Sequence, residues 1–346
     1  MRGPSLLVVG AGINGLWTAW RFLRAGWDVT LADAGPLPNP AAASWDQHRL
    51  IHPLGAESEA DVHAIERALG GWAELWSRLG HSHYRQTGGL LGNRMEARSI
   101  FLGAAGWPCQ RVGSASLAAL VPGLRRHPEG GGLWTPRAGV LLADRIVTDM
   151  VRLIEGLGCR LLPYRPILEE EIREGRFRLG PGEAFAPDLT IVAAGAGTGE
   201  VMRMLAPRLT GVDQTMFYFS APRAWERAPL LVDFGPHDDL WAAPPVAGTM
   251  LKLAASDLAV PGGPFDSDAL SERIAETFRT IEWRFVRQAR CRYARTADGA
   301  RILEPVRGTD QRVWVVAGCN GSGFKLAPLV AELVWQHARG QVEALA

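Results

Sequence analysis

The chain opens on four consecutive apolar residues, Leu6-Leu7-Val8-Val9, closed by Gly10. An unbroken apolar run stopped by glycine predicts a buried strand. Leu16, Ala19, Trp20 and Leu23 then recur at helical spacing, and Ala25-Gly26 ends that helix. Val29-Thr30-Leu31 starts a second strand, which stops at Asp33. Residues 35–40 are a proline-rich loop, and residues 41–44 are placed to open a helix. In residues 57–79, Ile65, Leu69, Trp72, Leu75, Trp76 and Leu79 share one face, predicting one or two helices whose aromatics belong to the core. The pattern continues with a strand over 84–91, a short helix over 114–124 and a glycine-containing loop over 125–134 that leads into the apolar run 139–142. A helix capped by Asp144 runs to Gly156, followed by a strand over 159–162 and a charged, hairpin-like stretch over 169–179. The apolar run 188–194 again ends in glycine, Gly195, and implies a third strand of the first sheet. Residues 217–220, 230–234, 240–243 and 249–254 read as strands of an antiparallel sheet, and 266–285 as a helix. Residues 291–296 read as a strand or extended loop, 312–317 as a buried strand ending at Gly318, and 326–339 as the last helix.

The first turn adds chemistry to this pattern. Between strand and helix the glycines stand as Gly10-x-Gly12-x-x-Gly15, and Asp33 follows 18 residues after Gly15. Gly10 permits the tight turn, Gly12 lets the backbone approach a pyrophosphate, and Gly15 lets the helix pack close on the strand. The N–H groups at the helix start face the anion, and the carboxylate takes a ribose hydroxyl. Gly10, Gly12, Ile13, Asn14, Gly15, Asp33 and Ala34 are therefore expected at a dinucleotide. The return of a strand-to-glycine turn at Gly195, and of the Gly321-Ser-Gly323-Phe324-Lys325 turn near the end, places further backbone donors at the same ligand.

At 346 residues two domains are expected. A net charge of +1 gives no reason to expect a nucleic-acid partner. No apolar run approaches the roughly 20 residues that span a bilayer, and a fingerprint starting at residue 10 leaves no targeting segment expected ahead of it. The cysteines Cys109, Cys159, Cys291 and Cys319 show no CxxC pair, so no metal site and no disulfide framework are expected, and a cytoplasmic location is the default. Cys319 reads as a small core residue.

One count changes the picture. Of 37 basic residues only Lys252 and Lys325 are lysines. Survival by chance is one reading. The other is that these positions need a compact ammonium or a removable proton, which arginine does not offer. A second candidate segment, Trp45-Asp46-Gln47-His48-Arg49-Leu50-Ile51-His52-Pro53, gathers an acid, an arginine and two histidines beside an apolar pair, and is either a site segment or a solvated loop.

Nearly the whole chain resembles the D-amino-acid oxidase superfamily of flavoproteins, in particular its monomeric sarcosine oxidase branch. The motifs that carry this are the glycine fingerprint with Asp33, Arg49-Leu-Ile-His52, Ile191-Val-Ala-Ala-Gly195-Ala, Leu251-Lys252-Leu, Cys291-x-Tyr293 and Gly318-x-x-Gly321-x-Gly323-Phe324-Lys325. The resemblance implies an α/β fold, α+β overall, with a Rossmann-like FAD-binding domain and an inserted antiparallel-sheet substrate domain. The expected division is interleaved: residues 1–83, 139–212 and 290–346 bind FAD, and residues 84–138 and 213–289 bind substrate. The implied activity is oxidation of a carbon–nitrogen bond of a secondary amine or amino acid to an imine, with oxygen reduced to hydrogen peroxide. Lys252 resembles the lysine that promotes reaction with oxygen, and Lys325 the lysine that pairs with a substrate carboxylate. Arg49 resembles an arginine beside the flavin. Cys291 resembles the cysteine that carries FAD through a thioether, with a free thiol as the alternative.

Some positions depart from that branch. His52 stands where a second arginine for the carboxylate is usual, Trp241 where a substrate-site tyrosine is expected, and Gly197 where a tryptophan is common. Trp45 and Gln47 replace histidine or small polar residues. These departures imply a reshaped pocket and a bulkier or less acidic amine than N-methylglycine, with His52, Trp241 and Lys325 around the substrate. No general base stands out, although His48 and His52 are candidates. The rival readings are a dehydrogenase using a quinone or protein acceptor, a flavin-binding subunit or tailoring enzyme of a biosynthetic pathway, and a tRNA- or cofactor-biosynthesis enzyme on the same fold.

Overall fold

The computed structural model describes residues 3–125, 128, 130–180, 182–261 and 267–338. The strand Ser5–Val9 lies inside a six-stranded sheet, between Asp28–Ala32 and Leu189–Val192, with Leu6 opposite both Val29 and Leu189. Arg160–Leu162 extends one edge, and Val313–Ala317 followed by Ile302–Pro305 the other. All described pairings here are parallel except that of Ile302–Pro305 with Val313–Ala317. The apolar run at the start is continuous because both faces are covered. Leu6 and Val8 pack with Leu16, Trp20, Trp72 and Val330. Leu7 and Val9 pack with Ile167, Phe177, Met202 and Val315. The helix Ile13–Leu23 is laid against Ala143–Gly156 and Ala327–Ala338 on the first of these faces.

A second, nine-stranded sheet is largely antiparallel, with Leu230–Phe234 parallel to Gly89–Leu91. Its alternation sorts side chains between two jobs. Leu231, Leu251, Leu253 and Phe217 face Leu270 and Ile274 of the helix Ser267–Thr277 and form a separate core. Met216, Tyr218, Trp241, Ala254 and Cys291 group on the other side. Lys252 is on that second side, in register with Tyr218 and Ala243. A small three-stranded sheet, in which Gly139–Leu141 pairs with both Arg49–Ile51 and Tyr84–Gln86, sits beside them.

Several local expectations differ from the structure. Residues 41–44 form turns and not a helix, because the Ser44 hydroxyl accepts the Ile13 N–H at 2.8 Å and folds the loop onto the first helix. The charged stretch after 168 is a helix, Glu169–Glu174, followed by the strand Phe177–Gly180. Glu171 decides this, since its carboxylate accepts the N–H groups of Leu168 and Arg178 and pairs with Arg165. The expected helix over 266–285 covers only Ser267–Thr277, and Asp266 lies outside the described residues. From Arg284 the chain is the strand Arg284–Arg295, held by its full register against Thr210–Ser220. Leu142 occupies the cap position of Ala143–Gly156, and Asp144 falls in its first turn. Residue 339, expected to end the last helix, lies outside the described residues, where that helix runs Ala327–Ala338.

Candidate active site

A cavity of about 840 Å³ opens at the C-terminal ends of the parallel strands and runs under the second sheet. Ligands of open α/β sheets bind at this end of the strands. The fingerprint lies at one end of it. Gly10 has φ +104°, and a side chain there would meet the Ala193 carbonyl at 2.5 Å. A Cβ on Gly15 would lie 1.9 Å from the Gly10 carbonyl oxygen, so Gly15 serves helix-to-strand packing and, alone among the expected cofactor residues, does not line the cavity. A Cβ on Gly12 would meet only the Ser44 hydroxyl, at 3.3 Å, which leaves that stretch of backbone open to a ligand. Asp33 accepts from the Ala11 and Gly35 N–H groups and from the Asn39 amide, each at 2.8 Å, and faces the cavity together with Ala34.

These residues fit FAD on the structure's own terms. The glycine cradle is open, and Asn14 Oδ1, on a cavity-lining residue, is buried with no hydrogen-bond partner. Ile13, Gly195, Gly321, Gly323 and Phe324 line the same wall. Phe324 stacks on Trp72 with ring centroids 5.8 Å apart, and Trp72 Nε1 donates to the Lys325 carbonyl at 3.0 Å, which fixes the last turn. Cys319, expected in the core, also lines the cavity.

The far end carries the charges. Lys252 is 1 % exposed, and its ammonium donates to Asp46 Oδ2 at 2.6 Å and to the His48 carbonyl at 2.9 Å. Arg49 also pairs with Asp46, and Tyr218 donates its hydroxyl to Asp46 Oδ1 at 2.8 Å. One buried carboxylate thus serves two cations and a phenol. Burial pushes the Asp46 carboxyl upward, but Lys252 and Arg49 overcome it and hold the group well below the usual carboxylate range. Burial brings Lys252 down to about 8, with Asp46 opposing. Its ammonium also lies 5.2 Å from the Trp241 ring. Arg49 Nη2 donates to the Ala43 carbonyl at 2.5 Å and lies 3.6 Å from Cys291 Sγ. Gln47 clamps the strand entry by accepting from Met250 N and donating to Met250 O.

Lys325 differs from Lys252. Burial and the Arg301 guanidinium lower it to about 8 against the pull of Asp61, and no carboxylate lies within ion-pair distance of it among the described residues. His52 shares this end of the cavity. Its Nδ1 accepts the Leu54 N–H at 3.2 Å, so the neutral ring carries its proton on Nε2. Burial first, and Lys325 second, hold His52 well below its ordinary value, which makes it a neutral donor. His48, brought down to about 3 chiefly by burial, has both ring nitrogens buried without partners and does not line the cavity. Lys252, Arg49, Lys325, His52, Trp241 and Cys291 are all brought to the one cavity. Sequence reasoning gave no role to Asp46 or Tyr218, although Asp46 stands in the segment it singled out.

Known proteins share this architecture. N-methyl-L-tryptophan oxidase of Salmonella agona is 23% identical over 359 residues, covering 97% of this chain and 95% of that protein. Among solved structures, a modified fructosyl peptide oxidase from Aspergillus nidulans superposes with a TM-score of 0.81 at 18% identity, over 99% of this chain and 92% of that one. L-proline dehydrogenase from P. horikoshii superposes with a TM-score of 0.83 at 17% identity, over 99% and 95%. The FAD dependent oxidoreductase (DAO) family matches residues 5–336, and with the dinucleotide cradle in place this chain belongs to that family and is an FAD-dependent oxidoreductase.

Proposed function

We propose that the chain oxidises the carbon–nitrogen bond of a secondary amine or amino acid bearing a carboxylate, and that molecular oxygen is the final acceptor. The observation that carries this reading is Lys325, a half-buried ammonium on the cavity wall with no carboxylate within ion-pair distance among the described residues, close enough to neutral His52 to act on it. A substrate carboxylate would complete that pair of donors. FAD, held by the glycine cradle and the last turn, would supply the two-electron acceptor for the hydride equivalent lost from the substrate carbon, leaving an imine that hydrolyses. Lys325 and His52 orient the substrate, and Trp241, Met216 and Leu50 give the pocket an apolar wall. The S. agona relative is named for an N-methylated aromatic amino acid, which fits that wall. Arg49, beside Cys291, would hold the flavin end and position the sulfur for a thioether link. Lys252 places a positive charge where oxygen is reduced.

A second reading, a dehydrogenase with a non-oxygen acceptor, is favoured by one observation: Asp46 already compensates Lys252 at 2.6 Å. Rapid-mixing measurement of the two half-reactions separates the readings. Anaerobic reduction by N-methylated amino acids is expected, with Lys325→Met raising the substrate KM or abolishing turnover. Reoxidation in air is expected to be fast and to slow far more than reduction in Lys252→Met. Slow reoxidation in the unaltered protein moves the assignment to the dehydrogenase, and an unchanged KM in Lys325→Met removes the carboxylate role. On acid precipitation the flavin is expected in the pellet, and in the supernatant for Cys291→Ser.

A further inference from the structure

A second convergence of side chains lies where the chain leaving the long helix Glu59–Leu79 meets the helix Ala143–Gly156. His81 Nε2, His83 Nε2 and Asp149 Oδ2 form a triangle. The two nitrogens are 3.2 Å apart, and the carboxylate oxygen is 3.0 Å from His81 and 2.7 Å from His83.

With His81 neutral, hydrogen bonding leaves this triangle partly unsatisfied. His81 Nδ1 lies 3.1 Å from the Leu79 carbonyl oxygen, which can only accept, so Nδ1 carries the hydrogen of the neutral ring. His81 Nε2 then turns a lone pair toward Asp149 Oδ2, another acceptor. A proton shared with Asp149 or a cation at the centre of the triangle resolves the conflict, and to a cation all three atoms can offer lone pairs. A tetrahedral zinc ion with bonds of about 2.0–2.1 Å spaces its ligand atoms roughly 3.3 Å apart. The observed separations are shorter than this by about 0.1 to 0.6 Å, so the three side chains would move apart slightly to admit the ion.

The surroundings match what orients metal ligands. The Leu79 carbonyl fixes the tautomer and tilt of His81, as outer-sphere acceptors do in histidine sites. Arg152 sits 3.6 Å from Asp149 Oδ1, on the carboxylate oxygen that faces away from the triangle, and leaves Oδ2 to the centre. His83 is buried with its ring edge-on to Trp76, whereas His81 is exposed, so a fourth position is open to water.

We propose that His81, His83 and Asp149 bind one divalent transition-metal cation of the zinc type, completed by solvent. Two imidazoles and one carboxylate suit zinc and disfavour magnesium, which requires oxygen ligands in an octahedral array. The ion would clasp the start of Tyr84–Gln86 to Ala143–Gly156. The strand between them, Gly139–Leu141, pairs with Arg49–Ile51, so the clasp closes the outer edge of the frame that carries Arg49 and His52 to the cavity.

Zinc chloride titrated calorimetrically into the chelator-treated holoenzyme tests this. One ion per chain is expected, with micromolar or tighter affinity and a zinc-dependent rise in Tm, and no heat from magnesium chloride. His81→Ala and Asp149→Asn should each weaken zinc binding at least tenfold. His63→Ala, an exposed histidine beside Glu59 and Glu66, should leave it unchanged. The Tm of each variant without zinc reports its folding, and His81, being exposed, is the change the fold tolerates best. Absence of a stoichiometric site, or undiminished affinity in both His81→Ala and Asp149→Asn, overturns the proposal.

Discussion

The two lysines have the same side chain and opposite electrostatic situations. Lys252 is held by a carboxylate and a carbonyl, whereas Lys325 has only the opposing influences of Asp61 and Arg301 and the neutral His52 nearby. With its value brought down to about 8, Lys325 is charged below that pH and loses its proton as pH rises through it. The dissociation constant of a simple carboxylate ligand that lacks an amine should therefore be flat below pH 8 and rise about tenfold per unit well above it. Titration of that ligand into the holoenzyme from pH 6 to 10 checks this, and Lys325→Met should bind weakly with no such limb. The same shift has a stability sign. The unfolded chain keeps this proton to about 10.5, the fold releases it near 8, and so this group adds stability as pH rises between those values.

The strand, turn and helix at the start of the chain were legible because their determinants are local: an apolar run, three glycines and a helical stripe. The structure separates the jobs of those glycines. Gly15→Ala drives a methyl into the Gly10 carbonyl, a backbone atom that cannot step aside, and is expected to cost about 3 kcal/mol or more. Gly12→Ala meets only a hydroxyl and should leave the apoprotein within about 1 kcal/mol of its original stability while weakening FAD binding sharply. Thermal melts without cofactor and FAD titration of both variants check the contrast, and equal stability losses would contradict it. Elements whose fate depends on distant partners were less legible. The strand Arg284–Arg295 was legible only at its end, where 291–296 read as a strand or extended loop, while its start was read as the close of a helix, because its pairing residues lie some seventy positions earlier in Thr210–Ser220. His81 and His83 stand two apart in sequence, yet Asp149 reaches them only because the helix Ala143–Gly156 is packed there.

At the scale of the molecule, Asp46 joins the parts. It lies on the loop after the second parallel strand, accepts from Lys252 and Tyr218 of the nine-stranded sheet, and pairs with Arg49 of the small sheet. Its own carbonyl accepts the Asp144 N–H at the start of Ala143–Gly156. Asp46→Asn leaves the buried Lys252 and the half-buried Arg49 without their countercharge and is expected to destabilise the protein by roughly 3–5 kcal/mol. The double variant Asp46→Asn with Lys252→Met should lose less than the sum of the single losses, since it removes one of the uncompensated charges. Denaturant melts of the four proteins measure the difference, and additive losses would show that the pair is not coupled. Among the described residues no helix is long and apolar enough to cross a membrane.

By itself the sequence determined the dinucleotide fingerprint, the interleaving of its strands and the two lysines worth following, because glycine spacing, hydrophobic period and residue scarcity are properties of the chain alone. The tertiary structure decided what those groups face. It matched Lys252 with Asp46 and Tyr218, left Lys325 without a carboxylate, kept His52 neutral and set Gly15 behind the cavity wall. Charge and hydrogen bonding are set by distances of a few ångströms between residues more than two hundred positions apart, and only packing fixes those distances.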